Sequence, residues 1–296
     1  MTLPNFFLIG AAKAGTTSLY SYLEQHPEIY MSPVKEPRFF TPELYSIYNS
    51  AVRSGGRKIP LSLEQYSQLF AGVKNEIAIG EASTDYLYLT KAANRIKNEV
   101  PDAKLIAILR NPVERAFSAY CYQLRDSYET LSFEEALQAE ESRIKQGFRP
   151  GWHYQQVGFY ARQIEQYLDV FLPQQIKIYL YEDLASDSIA IAREIYQFLG
   201  VDSDFTPDLT RKNISGVPKN KTLHNLFTKE NFIKSAIKPF IPQQLRQNLY
   251  QKMRKRNLGQ KPKLSLETRK KLIDTYREDI LQLQNLIQKD LSAWLF

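Results

Sequence analysis

The segment that most constrains this chain is Gly10-Ala-Ala-Lys13-Ala-Gly15-Thr16-Thr17-Ser18. It follows the apolar run Asn5–Gly10, which reads as a short strand, and it leads into Thr17–His26, whose apolar residues recur at helical spacing. In a strand, tight loop and helix of this kind, successive backbone N–H groups converge on one anion. The helix N-terminus adds positive partial charge, and small side chains allow close approach. The glycines have the separation of a Walker A loop, yet Thr16 stands where a lysine should follow the second glycine, and the lysine of this loop is Lys13. A lysine that early in the turn suits a shorter phosphate chain than a nucleoside triphosphate. Ala12, Lys13, Ala14, Gly15, Thr16, Thr17 and Ser18 are therefore read as an anion cradle.

Further short apolar runs at Ile77–Glu81, Lys104–Leu109 and Ile176–Tyr181 read as strands. Helical patterns separate them at Pro112–Arg125, Ser132–Gln146, Phe159–Phe171 and Ser188–Leu199, the second opening with a Ser132/Glu135 capping box. Buried strands alternating with helices predict an α/β fold, a P-loop NTPase-like three-layer α/β/α arrangement around a central, mainly parallel sheet. Ligands of such sheets bind at the carboxyl ends of the strands. With 296 residues, 43% of them hydrophobic, the chain can bury a sizeable core. We expect a single domain over 1–296, with a basic, irregular segment at about 212–263. A C-terminal helix at about 266–295 should pack through Leu272, Tyr276, Ile280, Leu283 and Ile287.

The net charge of +7 is unevenly spread: Arg211 to Lys271 holds 17 Lys/Arg against two acids, a local charge of +15. That surplus favours an anionic partner. It could cover an anionic acceptor such as a polysaccharide, or Phe227, Phe232, Ile233, Ile237 and Phe240 among the lysines could rest on an anionic membrane. A nucleic-acid-binding module is a further possibility, but the aromatic residues form a stripe rather than a base platform, so no nucleic acid is expected. One cysteine, Cys121, excludes an internal disulfide, and His26, His153 and His224 lie too far apart for zinc spacing. With no basic leader and no apolar run of about 20 residues, a cytoplasmic protein, peripheral to a membrane at most, is expected.

A second anion site follows the strand at Lys104–Leu109. Asn111 caps a helix that opens with Pro112, so Arg110 sits at the strand tip and Ser118 two turns along the helix. A guanidinium with a nearby hydroxyl suits a ribose phosphate.

These motifs resemble those of sulfotransferases that use 3′-phosphoadenosine 5′-phosphosulfate (PAPS). Phe7 to Leu19 is similar to their 5′-phosphosulfate loop, and Arg110 with Ser118 to their 3′-phosphate site. Lys35-Glu36-Pro37-Arg38-Phe39-Phe40 resembles the Lys-Glu-x-x-Phe-Phe segment of the Golgi heparan sulfate sulfotransferases and their bacterial relatives. Gly158–Tyr160, Tyr181–Leu184, Asn213–Lys219 and Asp290–Trp294 are similar to bacterial members. The resemblance implies PAPS as co-substrate with no metal, and a hydroxyl acceptor on a saccharide or lipid-like molecule. It implies Lys13 at the bridging and phosphate oxygens, Glu36 as general base, Lys35 beside it, and Lys219 closing over the nucleotide. Glu81 is a candidate second carboxylate, and His153 and His224 are alternative bases. Two departures stand out: Arg38 replaces a histidine, and Glu81-Ala82-Ser83-Thr84 replaces a Glu-Lys pair before Ser/Thr-Pro. An ATP-dependent kinase or NTPase with a degenerate P-loop is the enzymatic alternative.

Overall fold

In the computed structural model, residues 1–45, 59–210 and 262–296 are described, together with the backbone of 217–218 and 258–259. Strands β1 (Phe6–Gly10), β2 (Ile29–Met31), β3 (Ala78–Ala82), β4 (Lys104–Leu109) and β5 (Ile176–Leu180) form one sheet in the order β2-β3-β1-β4-β5, every pairing parallel. Two short strands, β6 (Val217–Pro218) and β7 (Leu258–Gly259), pair antiparallel. The helices in chain order are α1 (Thr16–Leu23), α2 (Leu63–Ser67), α3 (Asp85–Tyr88), α4 (Lys91–Glu99), α5 (Pro112–Arg125), α6 (Phe133–Gln138), α7 (Glu140–Lys145), α8 (Tyr160–Leu168), α9 (Tyr181–Ser186), α10 (Ser188–Leu199) and α11 (Leu266–Ile287).

The unbroken apolar character of the strands follows from burial on both faces. Phe6, Phe7, Leu8 and Ile9 are all fully inaccessible, as are Leu105 to Leu109. From β1 the chain leaves toward β2 and β3, then crosses over β1 to β4 and continues outward to β5. The connections after β1 and β4 thus run in opposite directions, which opens a crevice beyond the carboxyl ends of these two neighbours.

Local sequence explains where the helices begin. Asn111 Oδ1 accepts from the N–H groups of Val113 (3.0 Å) and Glu114 (3.3 Å), and Pro112 needs no partner in the first turn. The Ser132/Glu135 capping box forms on α6, with Glu135 Oε2 accepting from the Ser132 N–H at 2.8 Å. The helix expected over Ser132–Gln146 is instead two short helices meeting at Ala139. At that junction the buried Glu140 carboxylate accepts from the N–H groups of Gln155 (2.7 Å) and Gln156 (2.8 Å), which anchors the chain across the break.

α11 lies along α8, burying Leu272, Tyr276, Ile280 and Leu283. Asp279 takes the place of a side-chain cap on α8, accepting from the N–H groups of Tyr160 (2.8 Å) and Ala161 (3.2 Å). The helix ends at Ile287 rather than near 295, since Gln288 adopts a left-handed φ of 52° and Ser292–Leu295 form a separate 3-10 turn that buries Trp294. The basic segment at 212–263 lies outside the described residues apart from β6, β7 and its last two positions.

Gly80 pairs with Phe6 across β3 and β1, and a Cβ there would lie 2.0 Å from the Phe6 ring. Gly80→Ala should therefore cost about 3 kcal/mol of stability through overpacking, read as a lower midpoint in urea unfolding with an unchanged slope.

Candidate active site

The loop after β1 turns sharply into α1. The Ala11 N–H donates to Ile108 O at 2.7 Å, and Lys13 and Gly15 both hold left-handed φ values, 73° and 93°. Gly15 is required twice over: its φ suits glycine, and a Cβ would meet Tyr181 at 3.0 Å and Leu184 at 3.2 Å. As N-cap of α1 it offers no side-chain acceptor, so the first N–H groups of the helix remain available to an anion. Thr16 is buried, Thr17 exposed, and Ala12, Lys13 and Ser18 half-buried.

Arg110 follows β4 directly, and its Nη1 donates to the carbonyl of Lys13 at 3.2 Å. Its guanidinium lies 4.5 Å from the centre of the Tyr181 ring, and its own carbonyl accepts from Tyr160 OH at 3.1 Å. Glu114 approaches it to 3.9 Å and also pairs with Arg269 from α11. Ser118 stands two turns along α5, half-buried. The two anion positions read from sequence are therefore tied to each other across the crevice.

Lys13 extends toward the last turn of α5, where its Nζ sits 4.2 Å above the centre of the Tyr122 ring. Arg125 stacks on the same residue at 4.4 Å and pairs with Asp126 at 2.8 Å. Burial, followed by the charges of Arg125, Lys35 and Arg110, lowers the Lys13 pKa to about 8, with Asp126 opposing. Tyr122 and Arg125 were not singled out from sequence. They lie four and seven residues after Ser118, on one helical face with it, which is the signal that would have found them.

Glu36 has a left-handed φ of 64° and its N–H donates to Ala82 O at 2.8 Å, which aims the carboxylate at the end of β3. There it accepts from Lys35 Nζ (3.2 Å), the Thr84 N–H (3.0 Å) and Thr84 Oγ1 (3.0 Å), and pairs with Arg38 Nη2 at 3.3 Å. Burial raises its pKa, but Lys35, Arg38 and the Thr84 N–H outweigh this and hold it below the ordinary value. Arg38, which replaces the histidine of the resembled motif, is shared with Asp85, its Nε lying 2.6 Å from Asp85 Oδ2. Asp85 is buried and carried no sequence signal, because nothing in the chain order links it to Arg38.

Glu81 is fully buried at the end of β3 and accepts from Ser83 Oγ at 3.0 Å. Its Oε1 has no hydrogen-bond partner among the described residues. Burial first, and the neighbouring Glu36 charge in addition, raise its pKa to about 7 against the hydrogen bonds that lower it. His153 is fully engaged: its Nε2 lies 2.8 Å from Phe148 O, which can only accept, so Nδ1 accepts from Tyr88 OH at 3.0 Å. Its pKa is lowered by burial. Lys219 and His224 lie outside the described residues.

A family model described as a sulfotransferase domain matches residues 3–286. The chain belongs to the sulfotransferase family. A crystal structure of a sulfotransferase from Alicyclobacillus acidocaldarius is 36% identical over 99% of both chains, with a TM-score of 0.78. Among curated proteins, carbohydrate sulfotransferase 15 of Mus musculus is 31% identical over 67% of this chain and 44% of its own length. Bifunctional heparan sulfate N-deacetylase/N-sulfotransferase 3 of Homo sapiens is 32% identical over 67% of this chain and 22% of its own. The chain thus spans less than half of the curated relatives it matches. Membership accounts for the α/β fold with its P-loop-like turn. The comparisons give no support to the kinase or NTPase alternative.

Because the folded-state pKa of Glu81 is raised, the stability this group contributes is present below its ordinary value of 4.5 and is lost as pH rises through about 7. Glu81→Gln should then stabilise the sulfotransferase at pH 8 by roughly 2 to 3 kcal/mol and leave it unchanged at pH 4. Urea unfolding at the two pH values measures the difference.

Proposed function

We propose that this sulfotransferase binds PAPS across the β1/β4 crevice and transfers its sulfuryl group to a hydroxyl or amine of a saccharide acceptor. The observation that carries this reading is the hydrogen bond from Arg110 to the Lys13 carbonyl at 3.2 Å, which joins the residue after β4 to the turn after β1. The backbone from Ala12 to Ser18, with the hydroxyls of Thr16, Thr17 and Ser18, would take the 5′-phosphate; Arg110 and Ser118 would take the 3′-phosphate.

Lys13 is the cation nearest the developing charge. Partly desolvated, its ammonium stabilises negative charge on the bridging and phosphate oxygens of the leaving group more strongly than it would in water. Glu36 is our candidate base. Its carboxylate is ionised at neutral pH, so it can accept the acceptor's proton as the oxygen attacks the sulfur in line with the leaving phosphate. Lys35 and Arg38 keep that carboxylate oriented, and we assign Lys35 a second contact with the transferring sulfate. Glu81, the other candidate carboxylate, is a buried neighbour of Glu36 rather than an acceptor contact in this reading.

The acceptor class rests on the curated relatives, whose names specify carbohydrate and heparan sulfate substrates. Lys219 and the basic segment at 212–263 are assigned the closing of the site over nucleotide and acceptor, within one domain formed by the chain. Among the described residues no helix is long and apolar enough to cross a membrane. A cytoplasmic location, with peripheral contact of the basic segment on anionic lipid, fits the charge distribution.

Binding of 3′-phosphoadenosine 5′-phosphate (PAP) favours the charged form of Lys13, so its affinity should fall as pH rises through about 8, with proton uptake on binding near that pH. Calorimetry in buffers of different ionisation enthalpy reads both effects. Arg110→Ala should lower PAP affinity by about 10- to 100-fold.

Glu36→Gln should reduce kcat by about 10²- to 10⁴-fold with PAP affinity retained, while His153→Gln keeps turnover within a few-fold. The opposite pattern in acceptor assays with labelled donor would remove Glu36 as the base.

A further inference from the structure

A group of aromatic residues lies outside the nucleotide site, just past the end of α5. Tyr128 follows α5 and is 57% exposed; Phe148 is 39% exposed, and Trp152 half-buried. Their rings meet at angles, with Tyr128 and Trp152 centroids 6.2 Å apart and Phe148 and Trp152 centroids 5.8 Å apart. The Arg149 guanidinium lies between two of them, 4.8 Å from the Trp152 centre and 5.5 Å from the Tyr128 centre. Large aromatic rings held partly in solvent against a guanidinium present apolar faces with a charged edge. This is the complement of a pyranose, which has apolar C–H faces rimmed by hydroxyl, carboxylate or sulfate groups.

The group is fastened to two elements that also carry site residues, α5 and α3. On one side a Cβ at Gly151 would meet Gln123 Nε2 at 2.5 Å, so the Trp152 turn packs tightly on α5 one residue beyond Tyr122, the ring under Lys13. On the other side His153 braces the turn. Its Nε2 donates to Phe148 O at 2.8 Å, and its Nδ1 accepts at 3.0 Å from Tyr88 of α3, the short helix that opens with Asp85, the partner of Arg38. The histidine that sequence offered as an alternative base thus ties the aromatic group to the acceptor side of the site.

Resting on the saccharide acceptor named above, we propose that Tyr128, Phe148, Arg149 and Trp152 form an acceptor subsite. It stacks sugar units of an acidic oligosaccharide away from the unit being sulfated. The rings supply area at low entropic cost, with two side-chain torsions each, and Arg149 engages an acidic group on the stacked units. Such a subsite selects for chain length: an acceptor too short to reach it gains nothing from it.

The test compares desulfated heparan hexasaccharide with the corresponding disaccharide, each binding to the full chain in complex with PAP by calorimetry and each as acceptor in turnover. The wild type should bind the hexasaccharide at least 10-fold tighter. Trp152→Ala and Tyr128→Ala should each weaken hexasaccharide binding and raise its KM by about 10-fold or more, with little change in kcat. Affinities for PAP and the disaccharide should stay within about 2-fold, and Trp152→Phe should recover most of the loss. Tyr128 is exposed enough that its replacement leaves the fold intact, so a folding defect in Trp152→Ala would not decide the matter. Equal losses for both saccharides, no loss for either, or a hexasaccharide bound no tighter than the disaccharide would overturn the subsite. Failure of the nucleotide reading shows separately, as PAP binding indifferent to Arg110→Ala.

Discussion

The placement of β1 at the centre of a parallel sheet, buried on both faces, is the constraint from which the site follows. With β3 on one side and β4 on the other, β1 has no free edge, and its carboxyl end opens beside that of β4. The turn after β1 carries Lys13, the residue after β4 is Arg110, and a hydrogen bond from the Arg110 guanidinium to the Lys13 carbonyl joins the two strand ends. Gly15 can take its left-handed conformation there only because it has no Cβ to collide with Tyr181 and Leu184 of α9, the helix that follows β5. Three of the five strands thus contribute to one loop's geometry.

Charge is sorted around this crevice by burial. Lys35, Arg110 and Arg125 all bear on Lys13, whose ammonium is partly destabilised by burial and by these charges. Glu36, partly exposed, is held charged by cations and an N–H, whereas Glu81, fully buried and lacking a cationic partner at hydrogen-bond distance among the described residues, is pushed toward its neutral form. Two carboxyl groups near the carboxyl end of one strand are therefore set apart by their neighbours, as acid–base chemistry near neutral pH requires. An anionic donor would relieve the cation cluster, so binding energy and transition-state stabilisation draw on the same groups.

Beyond α5, both ring nitrogens of His153 are engaged. They bridge the Phe148–Trp152 turn to α3, the short helix that carries Asp85. Residues that brace a surface from within in this way hold aromatic side chains in place without touching the ligand themselves.

Much of this protein was legible in order along the chain. The apolar runs that become β1, β3, β4 and β5, the cap at Asn111, the Ser132/Glu135 box and the anion loop all depend on neighbours within a few residues, so local chemistry determines them. The edge strand β2 is only Ile29–Met31 and has no such pattern; it exists because β3 offers it a ladder. The break at Ala139 and the early end of α11 were likewise invisible, since Glu140 and Trp294 are placed by packing against distant segments. The same division runs through the site. Lys13, Arg110 and Glu36 could be named from motifs, but which cation lowers Lys13, which carboxylate shares Arg38 and what occupies His153 depend on contacts dozens of residues apart. Only the folded sheet, by bringing strand ends side by side, decides those contacts.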